Sequence, residues 1–467
     1  MANKKVWKGR FKKDSNEDME QFSHSIDIDQ RLWSDDLKVN LAWAEALREI
    51  RIITDQEFVE IRNGLERIRT EFEKGEFRFH PQDEDIHTAT ERRLTEITPA
   101  GAKIHTGRSR NDQVMTDLFL YLKREIDEIS ILIRDLMEVI VNRAEENIDL
   151  IMPGYTHLMP AQPILFAHYL LSLFWFLKRT IDRLGQAQER CNIMPLGSGA
   201  ISGSGFPIDR KLLANRLCFK HLSQNSLDIT SHRDIPIETG SILVMVMVVL
   251  SRYSSDLILF SNPNFGLFTI DEAFATGSSM MPQKRNPDSL ELIRGQAATT
   301  IGRLAGLYTL CHGLPHGYNR DLQEDKKNLF TIIDTVKPSL SIFTGVLKTL
   351  KINKERIESA LDPTLLATEI ANYLTEKGLP FRKAHELTGS IVVWAEENRV
   401  RLDEIPLEDL KVFSPLFDNT IYEWLRFDRA IARMAAPGGS GPVPVTRELE
   451  QAREAIERTN SGSGLNR

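Results

Sequence analysis

The sequence predicts an all-α protein built around long, bundled helices, and three observations support this. From Asp112 to Asn147 apolar residues recur at steps of three and four, so they share one stripe of a single helix. That helix would have roughly 35 residues, far more than the ~11–12 of a typical globular helix. A second long helix is predicted from Pro287 past Tyr308. Period-two alternation, which is typical of strands, is nearly absent.

The second long helix carries small residues at four-residue steps, at Ala298, Gly302 and Gly306. Glycine costs about 1 kcal/mol in a helix interior. We therefore expect these positions to be compensated by the close approach of another helix backbone.

Length and composition bound the organisation and the partners. The chain has 467 residues, of which 41% are hydrophobic, and this is too long for one ordinary domain. We predict three helical regions, at residues 1–109, 110–360 and 361–467, with the long-helix bundle in the centre. The net charge of -7 indicates neither a nucleic-acid nor a membrane partner, because such proteins show a basic face.

Two apolar runs are predicted to be helices buried on all sides. Ile242–Leu250 is much shorter than the ~20 apolar residues that span a bilayer. Ile164–Leu177 is interrupted by His168 and Ser172. Both runs suit the interior of a large bundle.

The N-terminal residues and the cysteines indicate a cytoplasmic protein. Met1–Lys8 is polar and basic and has no apolar run behind it, so no secretory signal is visible. The three cysteines, Cys191, Cys218 and Cys311, are far apart and form no C-x-x-C pair. This spacing is typical of reduced thiols.

Several segments rich in proline, glycine or polar residues are predicted to be loops. Two of them, 151–154 and 160–163, bracket one short loop. The segment 261–288 is long and irregular, and the tail from Ser461 is expected to fray. The remaining interruptions are 81–85, 196–207 and 436–444.

The most unusual loop is Ala275–Asp288, which reads A-T-G-S-S-M-M-P-Q-K-R-N-P-D. Long loops without secondary structure in a compact protein are usually functional. Composition alone would equally fit a solvated basic loop. The string, however, resembles the signature of the fumarase/aspartase superfamily, in which it forms a mobile active-site loop.

Four further segments resemble the argininosuccinate lyase family within that superfamily, and the resemblance runs from Trp7 to about Ala430. The resemblance implies an all-α homotetramer that pools its long helices, with each active site shared between subunits. It also implies cleavage of argininosuccinate to arginine and fumarate without cofactor or metal. The matching segments are His105–Gln113, Gly154–Pro163, Leu196–Ala200 with Phe206–Arg210, and Tyr318–Lys326.

The reaction explains the residue types in these segments. A base must remove a proton from the carbon beside a carboxylate, and cations or N–H donors must hold the doubly negative intermediate. Lys284 offers a fixed charge and Asn286 offers amide donors, which is the role that the family gives them. The resemblance makes Ser278 and His157 the acid/base pair. Which of them is the base stays open, although we favour Ser278 for the carbon proton.

The resemblance also implies residues that bind the substrate. Residues 109–111 begin the long helix, where helical N–H groups favour anions; a helix cap is the alternative interpretation of Asn111. For Gln323 and Lys326, which would share a helix face, the alternative is an ordinary amphipathic surface. The implied binding residues are Ser25, Asn111, Thr156, Asn286, Tyr318, Gln323 and Lys326, and the second-tier candidates are Asp29, Asp85, His87, Ser109, Arg110 and Arg233.

Two positions depart from the family pattern. Lys8 stands where many members have glycine, and His232 stands where aspartate is expected, beside an Arg233 that keeps its type. The eleven histidines form no H-x-x-H or H-E-x-x-H pattern, and the chain has no P-loop or dinucleotide fingerprint.

Two alternatives remain at this level. One is another lyase of the superfamily, acting on adenylosuccinate, aspartate or malate. The other is a structural protein similar to the δ-crystallins, some of which lack activity. Every catalytic position named above is present in this chain, which disfavours the structural alternative.

Overall fold

Helices dominate the structure, and the predicted all-α class is confirmed. The computed structural model describes residues 16–462, with side chains as far as residue 458, so Trp7 and Lys8 lie outside the described residues. The α-helices are α1 Glu17–Ser23, α2 Ile26–Asp29, α3 Trp33–Glu49, α4 Asp55–Glu73, α5 Ile86–Ile97, α6 Arg110–Glu146, α7 Phe166–Arg190, α8 Arg210–Arg216, α9 Ser226–Ser231, α10 Asp234–Ser261, α11 Asp288–Cys311, α12 Asp325–Thr349, α13 Lys354–Ser359, α14 Ala367–Glu376, α15 Phe381–Asn398, α16 Leu407–Phe413, α17 Ile421–Trp424, α18 Phe427–Arg433 and α19 Pro442–Gly462. Short 3-10 helices occupy Gln30–Leu32, Pro99–Lys103, Glu272–Phe274, Arg320–Glu324, Pro363–Leu366 and Leu402–Glu404.

The two predicted long helices are both present. Helix α6 has 37 residues, and α11 has 24. The predicted stripe of α6 is buried from Leu118 to Ile140, where each of its members is at most 2% exposed. Hydrophobic periodicity was therefore a sufficient signal for this helix.

Short strands pair in twos. The strands are β1 Ile151–Thr156, β2 Met159–Leu165, β3 Ile193–Met194, β4 His221–Leu222, β5 Phe268–Thr269, β6 Thr276–Gly277, β7 Arg285–Asn286 and β8 Lys351–Ile352. The pairs β1–β2, β5–β8 and β6–β7 are antiparallel, and β3–β4 is parallel.

The segments 151–154 and 160–163, predicted as loops, lie in the strands of the β1–β2 hairpin, and the short loop that they bracket is the turn at His157 and Leu158. Pro160 and Pro163 exclude a helix but permit extended backbone at the edge of a two-stranded ribbon. The register shifts between Gly154 and Tyr155, and a Cβ at Gly154 would lie 2.9 Å from the carbonyl oxygen of Gln162. The glycine thus permits the two strands to approach closely.

The chain divides into two compact units. The first comprises residues 16–128, 184–244 and 300–334 of the described chain, and the second comprises 129–183, 245–299 and 335–462. In the first unit, Trp33, Phe72 and Phe77 stack with ring centroids 4.9 and 4.0 Å apart. In the second, α14 to α18 enclose a core in which Tyr373 stacks on Phe417 at 5.6 Å.

The apolar runs are not buried on all sides, so that prediction is wrong for the chain itself. Met245 and Val248 on α10 are each 39% exposed, and Ser172 on α7 is also exposed. Helix α10 and the segment Arg320–Thr349 are long and apolar enough to cross a membrane, yet 44% and 50% of their apolar windows are buried. Core helices of soluble proteins pass the same test.

The expected backbone approach at the glycines of α11 is not found within residues 16–462. No atom there would contact a Cβ at Gly302 within 4 Å, and a Cβ at Gly306 would meet the side chain of Asn328 at 3.3 Å. Much of the α11 surface is exposed, with buried positions such as Ile293, Ala297 and Leu307 along one side.

Candidate active site

A cavity of about 620 Å³ in the first unit collects most of the predicted binding residues. Its walls come from the N-terminal helices, the start of α5, the start of α6 and the segment before α12. The lining residues are Ser25, Asp29, Gln82, Asp83, Glu84, Asp85, His87, Thr88, Glu91, Arg92, Thr95, Glu96, His105, Arg110, Asn111, Val114, Arg233, Tyr318, Arg320, Gln323 and Lys326.

Ser25 and Asp29 form one wall of the cavity. The Ser25 hydroxyl donates to Asp29 Oδ2 at 2.5 Å, and the backbone N–H of Ile86 donates to Asp29 Oδ1 at 2.9 Å. Ser25 is itself tied down by its N–H, which donates to the carbonyl of Glu84 at 2.8 Å. Burial, together with the nearby charge of Asp85, raises the pKa of Asp29 to about 6.

Asp85 links α5 to α6. It caps α5, because its Oδ1 accepts the Thr88 N–H at 2.6 Å, and its Oδ2 lies 3.1 Å from Arg110 Nε. Burial opposes its ionisation, but the charge of Arg110 holds the pKa of Asp85 below its usual value. Arg110 also donates to Thr88 Oγ1 at 3.1 Å and to Gln113 Oε1 at 3.0 Å, so its guanidinium is held on three sides.

The start of α6 is fixed by Ser109 and Asp112. Ser109 Oγ accepts the Asn111 N–H at 3.2 Å, so the cap is Ser109 and the Asn111 amide donates instead to the Ala200 carbonyl at 3.4 Å. Asp112 Oδ2 accepts N–H groups of the glycine-rich segment 196–207, from Gly197 at 3.0 Å and Gly199 at 2.8 Å. Burial raises the pKa of Asp112 to about 6, although these N–H groups favour the carboxylate.

On the opposite side of the cavity, Arg233 and Lys326 both pair with Asp325. The Arg233 Nε lies 2.5 Å from Asp325 Oδ2, the Lys326 Nζ lies 2.9 Å from Oδ1, and all three side chains are at most 5% exposed. Burial opposes ionisation of Asp325, but the two cations lower its pKa. Arg233 is thus held by a protein carboxylate, whereas Lys326 has further N–H donors for a ligand.

Gln323 and Tyr318 complete this wall. The Gln323 amide donates to the Ser23 carbonyl at 3.2 Å, which leaves its carbonyl oxygen as an acceptor. Burial raises the pKa of the Tyr318 phenol, so this hydroxyl remains a hydrogen-bond donor at neutral pH. The cavity therefore presents both acceptors and donors, as an α-amino acid with its ammonium and carboxylate groups requires.

His157 lies at the tip of the β1–β2 hairpin, in the second unit. Thr156 pairs with Met159, so His157 and Leu158 form a two-residue turn, with φ of 54° and 61°. Both angles lie in the left-handed region, which costs a non-glycine residue energy and concentrates at functional sites. Thr156 and His157 are both exposed.

The loop that carries Ser278 and Lys284 is also a hairpin in the second unit. Strands β6 and β7 pair Thr276 with Asn286, so the intervening residues form the tip. Ser278 Oγ accepts N–H groups from Met280 at 3.3 Å and Met281 at 3.0 Å. Lys284 is exposed and Asn286 is partly exposed.

Phe274 anchors the base of this hairpin. A Cβ at Gly345 of α12 would lie 2.3 Å from the Phe274 ring, so the ring packs directly on the glycine. The Ser289 hydroxyl donates to the Phe274 carbonyl at 2.6 Å. Contacts before β6 and after β7 therefore hold the base of the hairpin, whereas its tip is exposed.

The structure does not bring all the predicted residues together. Within the described chain, the lining of the cavity includes none of the residues predicted for the chemistry or the fumarate side. Ser109 acts as a helix cap, and His232 is exposed and lies 3.7 Å from Asp228. The predicted residues outside the lining are Ser109, Thr156, His157, Ser278, Lys284 and Asn286.

Several cavity residues were missed by sequence reasoning. His105 and Arg320 lie inside the quoted motifs, so the motifs themselves offered a signal for them. Burial lowers the pKa of His105 to about 4, with further lowering by Arg108 and Arg110. For Glu84 and Glu91 nothing in the local sequence distinguishes a cavity carboxylate from a solvated one.

Comparisons with known proteins identify the family of the chain. A lyase family model matches residues 9–302, and a model described as argininosuccinate lyase C-terminal matches residues 364–432. The argininosuccinate lyase of Geobacillus sp. (strain WCH70) is 45% identical over 97% of this chain and 99% of its own length. That of Schizosaccharomyces pombe is 43% identical over 97% and 99%.

Solved structures show the same fold. A crystal structure of EDDS lyase in complex with formate superposes with a TM-score of 0.84 at 26% identity, covering 96% of this chain and 91% of that one. A variant of EDDS lyase with bound fumarate superposes with a TM-score of 0.83 at 25% identity, with the same coverage. With relatives above 40% identity along nearly the whole chain, the protein belongs to the argininosuccinate lyase family.

Proposed function

We propose that the chain catalyses the reversible elimination of argininosuccinate to L-arginine and fumarate. The observation that supports this most directly is the cavity that gathers Ser25, Asn111, Tyr318, Gln323 and Lys326. By resemblance, Ser25, Tyr318, Gln323 and Lys326 bind the arginine half, and Asn111 is a further substrate contact. Acceptors at Ser25, Asp29 and Gln323 suit the α-ammonium group of the arginine half, and the Lys326 ammonium suits its α-carboxylate.

In the proposed mechanism Ser278 takes the proton from the succinyl carbon beside the carboxylate. The resulting negative charge spreads into that carboxylate, where Lys284 and Asn286 stabilise it. The carbon–nitrogen bond then breaks, and His157 supplies a proton to the departing guanidino nitrogen. Fumarate and arginine are the products, with the carbon proton on Ser278 and the imidazole of His157 left to be reprotonated.

A serine hydroxyl is a poor base unless its alkoxide is stabilised. The two N–H groups that reach Ser278 Oγ, from Met280 and Met281, favour the alkoxide over the neutral hydroxyl. Lys284 follows within the same hairpin tip and adds a positive charge there. These contacts support the assignment of Ser278 to the carbon proton and His157 to the nitrogen side.

The direct test is incubation of the purified protein with argininosuccinate, following fumarate by its ultraviolet absorbance and arginine by chromatography. We expect turnover without added metal and no effect of a chelator. Adenylosuccinate, aspartate and malate serve as the comparison panel. Turnover of adenylosuccinate without turnover of argininosuccinate would overturn the proposal.

We also propose that the protein is a cytoplasmic homotetramer in which each active site is shared between subunits. The support for a homotetramer is that large apolar side chains on the long helices are exposed, namely Met245, Val248, Leu292, Ile301 and Ile342. Much of the surface of helix α11 is exposed, and no atom of the described chain would contact a Cβ at Gly302 within 4 Å, which leaves room for another copy at that position. Dihedral tetramers are a common closed symmetry.

Mixed tetramers test the shared site. His157→Asn and Ser278→Ala are made separately, and each homotetramer should be nearly inactive. After dissociation, equal mixing and reassembly, a shared site functions only where the histidine comes from the serine variant and the serine from the histidine variant. Random assembly then returns about a quarter of wild-type activity. No recovery, with mixed tetramers verified by mass, would contradict sharing and leave the reaction assignment intact.

A further inference from the structure

A buried polar cluster lies directly behind the cavity, in the first unit. It consists of Asp36 and Asn40 on α3, His87 on α5, and Gln113 and Asp117 on α6. Each side chain is at most 3% exposed. Of these five residues His87 alone lines the cavity, so it is the point where the cluster meets a bound ligand.

Asp36 is fully occupied as a hydrogen-bond acceptor. Its Oδ1 lies 2.8 Å from His87 Nδ1 and accepts from Gln113 Nε2 at 2.6 Å, and its Oδ2 accepts from Asn40 Nδ2 at 2.9 Å. Two of these groups are amide donors, so the oxygens are acceptors and His87 Nδ1 is protonated. Although burial opposes ionisation, the charge and hydrogen bond of His87 hold the pKa of Asp36 at about 2.

Asp117 offers a contrast at nearly the same place. Its Oδ2 lies 3.3 Å from His87 Nδ1, and neither carboxyl oxygen has a hydrogen-bond partner among the described residues. One N–H cannot point at both carboxyl groups, and the nearer acceptor is Asp36. Burial, with the charges of Asp36 and Asp35, raises the pKa of Asp117 well above its usual value. The same ring nitrogen therefore lies near two carboxyl groups whose pKa values are shifted in opposite directions.

We infer that Asp36 is a positioning residue: it holds the Nδ1–H of His87 and thereby presents Nε2 to the substrate in the cavity. With Nδ1 committed to Asp36, Nε2 is the ring nitrogen that remains for a hydrogen bond to the substrate. Asp117 takes no part in this hydrogen bond. The substrate contact rests on the proposed function of the cavity, whereas the Asp36–His87 pairing does not.

A bound metal ion is the competing explanation for the cluster. Ligand atoms of Asp36, His87 and Asp117 lie within 4.8 Å of one another, a separation that an ion could bridge. The buried Arg108 side chain already provides a positive charge close to the carboxyl groups of Asp36 and Asp117. This charge disfavours a second cation, and the 2.8 Å separation of Nδ1 and Oδ1 is that of a hydrogen bond.

Asp36→Asn and Asp117→Asn form a matched pair for the test. Each changes one buried carboxyl group beside the same ring nitrogen into an amide. Asp36→Asn should lower kcat/KM for argininosuccinate by at least ~10-fold, as loss of a group that orients a functional histidine typically does. Asp117→Asn should stay within about threefold of wild type, because the Nδ1–H of His87 is held by Asp36, the nearer carboxylate.

His87 itself supplies a second pair of variants. The amide nitrogen of asparagine replaces Nδ1 and keeps the bond to Asp36, whereas that of glutamine replaces Nε2. Both His87→Asn and Asp36→Asn should weaken the binding of arginine measured by calorimetry, and His87→Gln should weaken it less than His87→Asn does. Equal effects of Asn and Gln would overturn the assignment of the two nitrogens.

A readout independent of activity separates this inference from the proposed function. The rate of hydrogen exchange at the His87 ring carbon, measured by mass spectrometry at one fixed pH, reports the surroundings of the ring. Asp36→Asn should change this rate, because the hydrogen bond to Nδ1 is lost, and Asp117→Asn should leave it unchanged. The charged or titratable groups that face the ring are Asp36 and Asp117, together with Asp29, Asp85 and His105.

The outcomes are distinct. Equal changes of the exchange rate in both variants, or losses of kcat/KM that simply follow the loss of thermal stability in each, would overturn the positioning role. A stoichiometric metal retained by the protein and lost in both variants would also overturn it. An inactive wild-type protein whose exchange rate still changes in Asp36→Asn alone would refute the proposed function and leave the Asp36–His87 pairing standing.

Discussion

The turn formed by His157 and Leu158 predicts that stability and activity separate at adjacent residues. Both residues adopt left-handed backbone angles, which cost about 1–2 kcal/mol for a residue with a Cβ. Glycine removes this cost but loses about 0.5–1 kcal/mol through the entropy of the unfolded chain. The Leu158 side chain is 73% exposed, so its removal sacrifices little burial. Leu158→Gly should therefore stabilise the folded chain by about 0.5–1 kcal/mol.

His157→Asn should behave oppositely with respect to function. Asparagine tolerates the left-handed region, so the hairpin should fold at least as well as in the wild type. Loss of the imidazole should lower kcat by at least ~10²-fold, as removal of a general acid or base typically does. Melting curves at fixed protein concentration and initial rates of fumarate formation measure the two effects.

Two results would refute this reasoning. Near-normal turnover by His157→Asn would remove His157 from the acid/base pair. A lower melting temperature for Leu158→Gly would show that Leu158 makes contacts outside the chain that outweigh the backbone strain. The double variant His157→Asn/Leu158→Gly has an Asn-Gly turn, which is preferred in two-residue hairpins. It should be more stable than the wild type and either single variant, and it should be inactive.

The remaining predictions concern four other side chains. Ser278→Ala should lower kcat by at least ~10²-fold with KM largely kept, and near-normal kcat would place the base elsewhere. Lys284→Met should lose fumarate-side binding and rate at an unchanged melting temperature, because Lys284 is exposed; early melting with normal specific activity would make it structural. Arg233→Met should cost about 1.5–3 kcal/mol of stability, because the buried Asp325 carboxylate keeps Lys326 but loses its hydrogen bond from Arg233, and an unchanged melting curve would contradict this. Since the pKa of Asp29 is about 6, its carboxylate is protonated as the pH falls through 6, so kcat/KM should fall on that acid side; a limb that persists in Asp29→Asn would assign it to another group.

The long helices and the binding residues were accessible from the sequence for different reasons. Helix α6 could be predicted because its apolar spacing continues over many turns and so distinguishes a helix from a strand. The binding residues do not follow from periodicity. They were placed by resemblance, and the structure collects Ser25, Asn111 and Lys326 in one cavity although they are distant along the chain.

The hairpin that carries His157 could not be predicted from local signals. Its strands contain three prolines, at 153, 160 and 163, and its turn lacks the Asn-Gly or Asp-Gly pair that marks two-residue hairpins. The turn residues are therefore unfavourable for the local structure they adopt. Such conflicts between local preference and fold are expected where function has constrained the residue.

The buried cluster around Asp36 was hidden for another reason. Asp35 and Asp36 are adjacent in sequence, and charge runs usually indicate a solvated helix face. Both are buried, Asp35 against Arg124 at 2.8 Å and Asp36 against three hydrogen-bond donors. Only the packing of α3 against α5 and α6 reveals which acidic side chains point inwards.

The residues proposed for binding lie at helix starts, and those proposed for the chemistry lie at hairpin tips. This difference should affect KM and kcat differently. The binding residues lie at helix starts held by buried ion pairs and caps, such as Asp325 with Lys326 and Asp85 with Arg110. His157 and Ser278 lie on hairpin tips, where exposed backbone makes few contacts. Rigid helix ends hold the arginine half without ordering costs, because their side chains are already fixed. In the proposed mechanism, the hairpin tips carry the groups that must approach the bond that breaks. Substitutions in the cavity should thus act chiefly on KM, and substitutions at the tips chiefly on kcat.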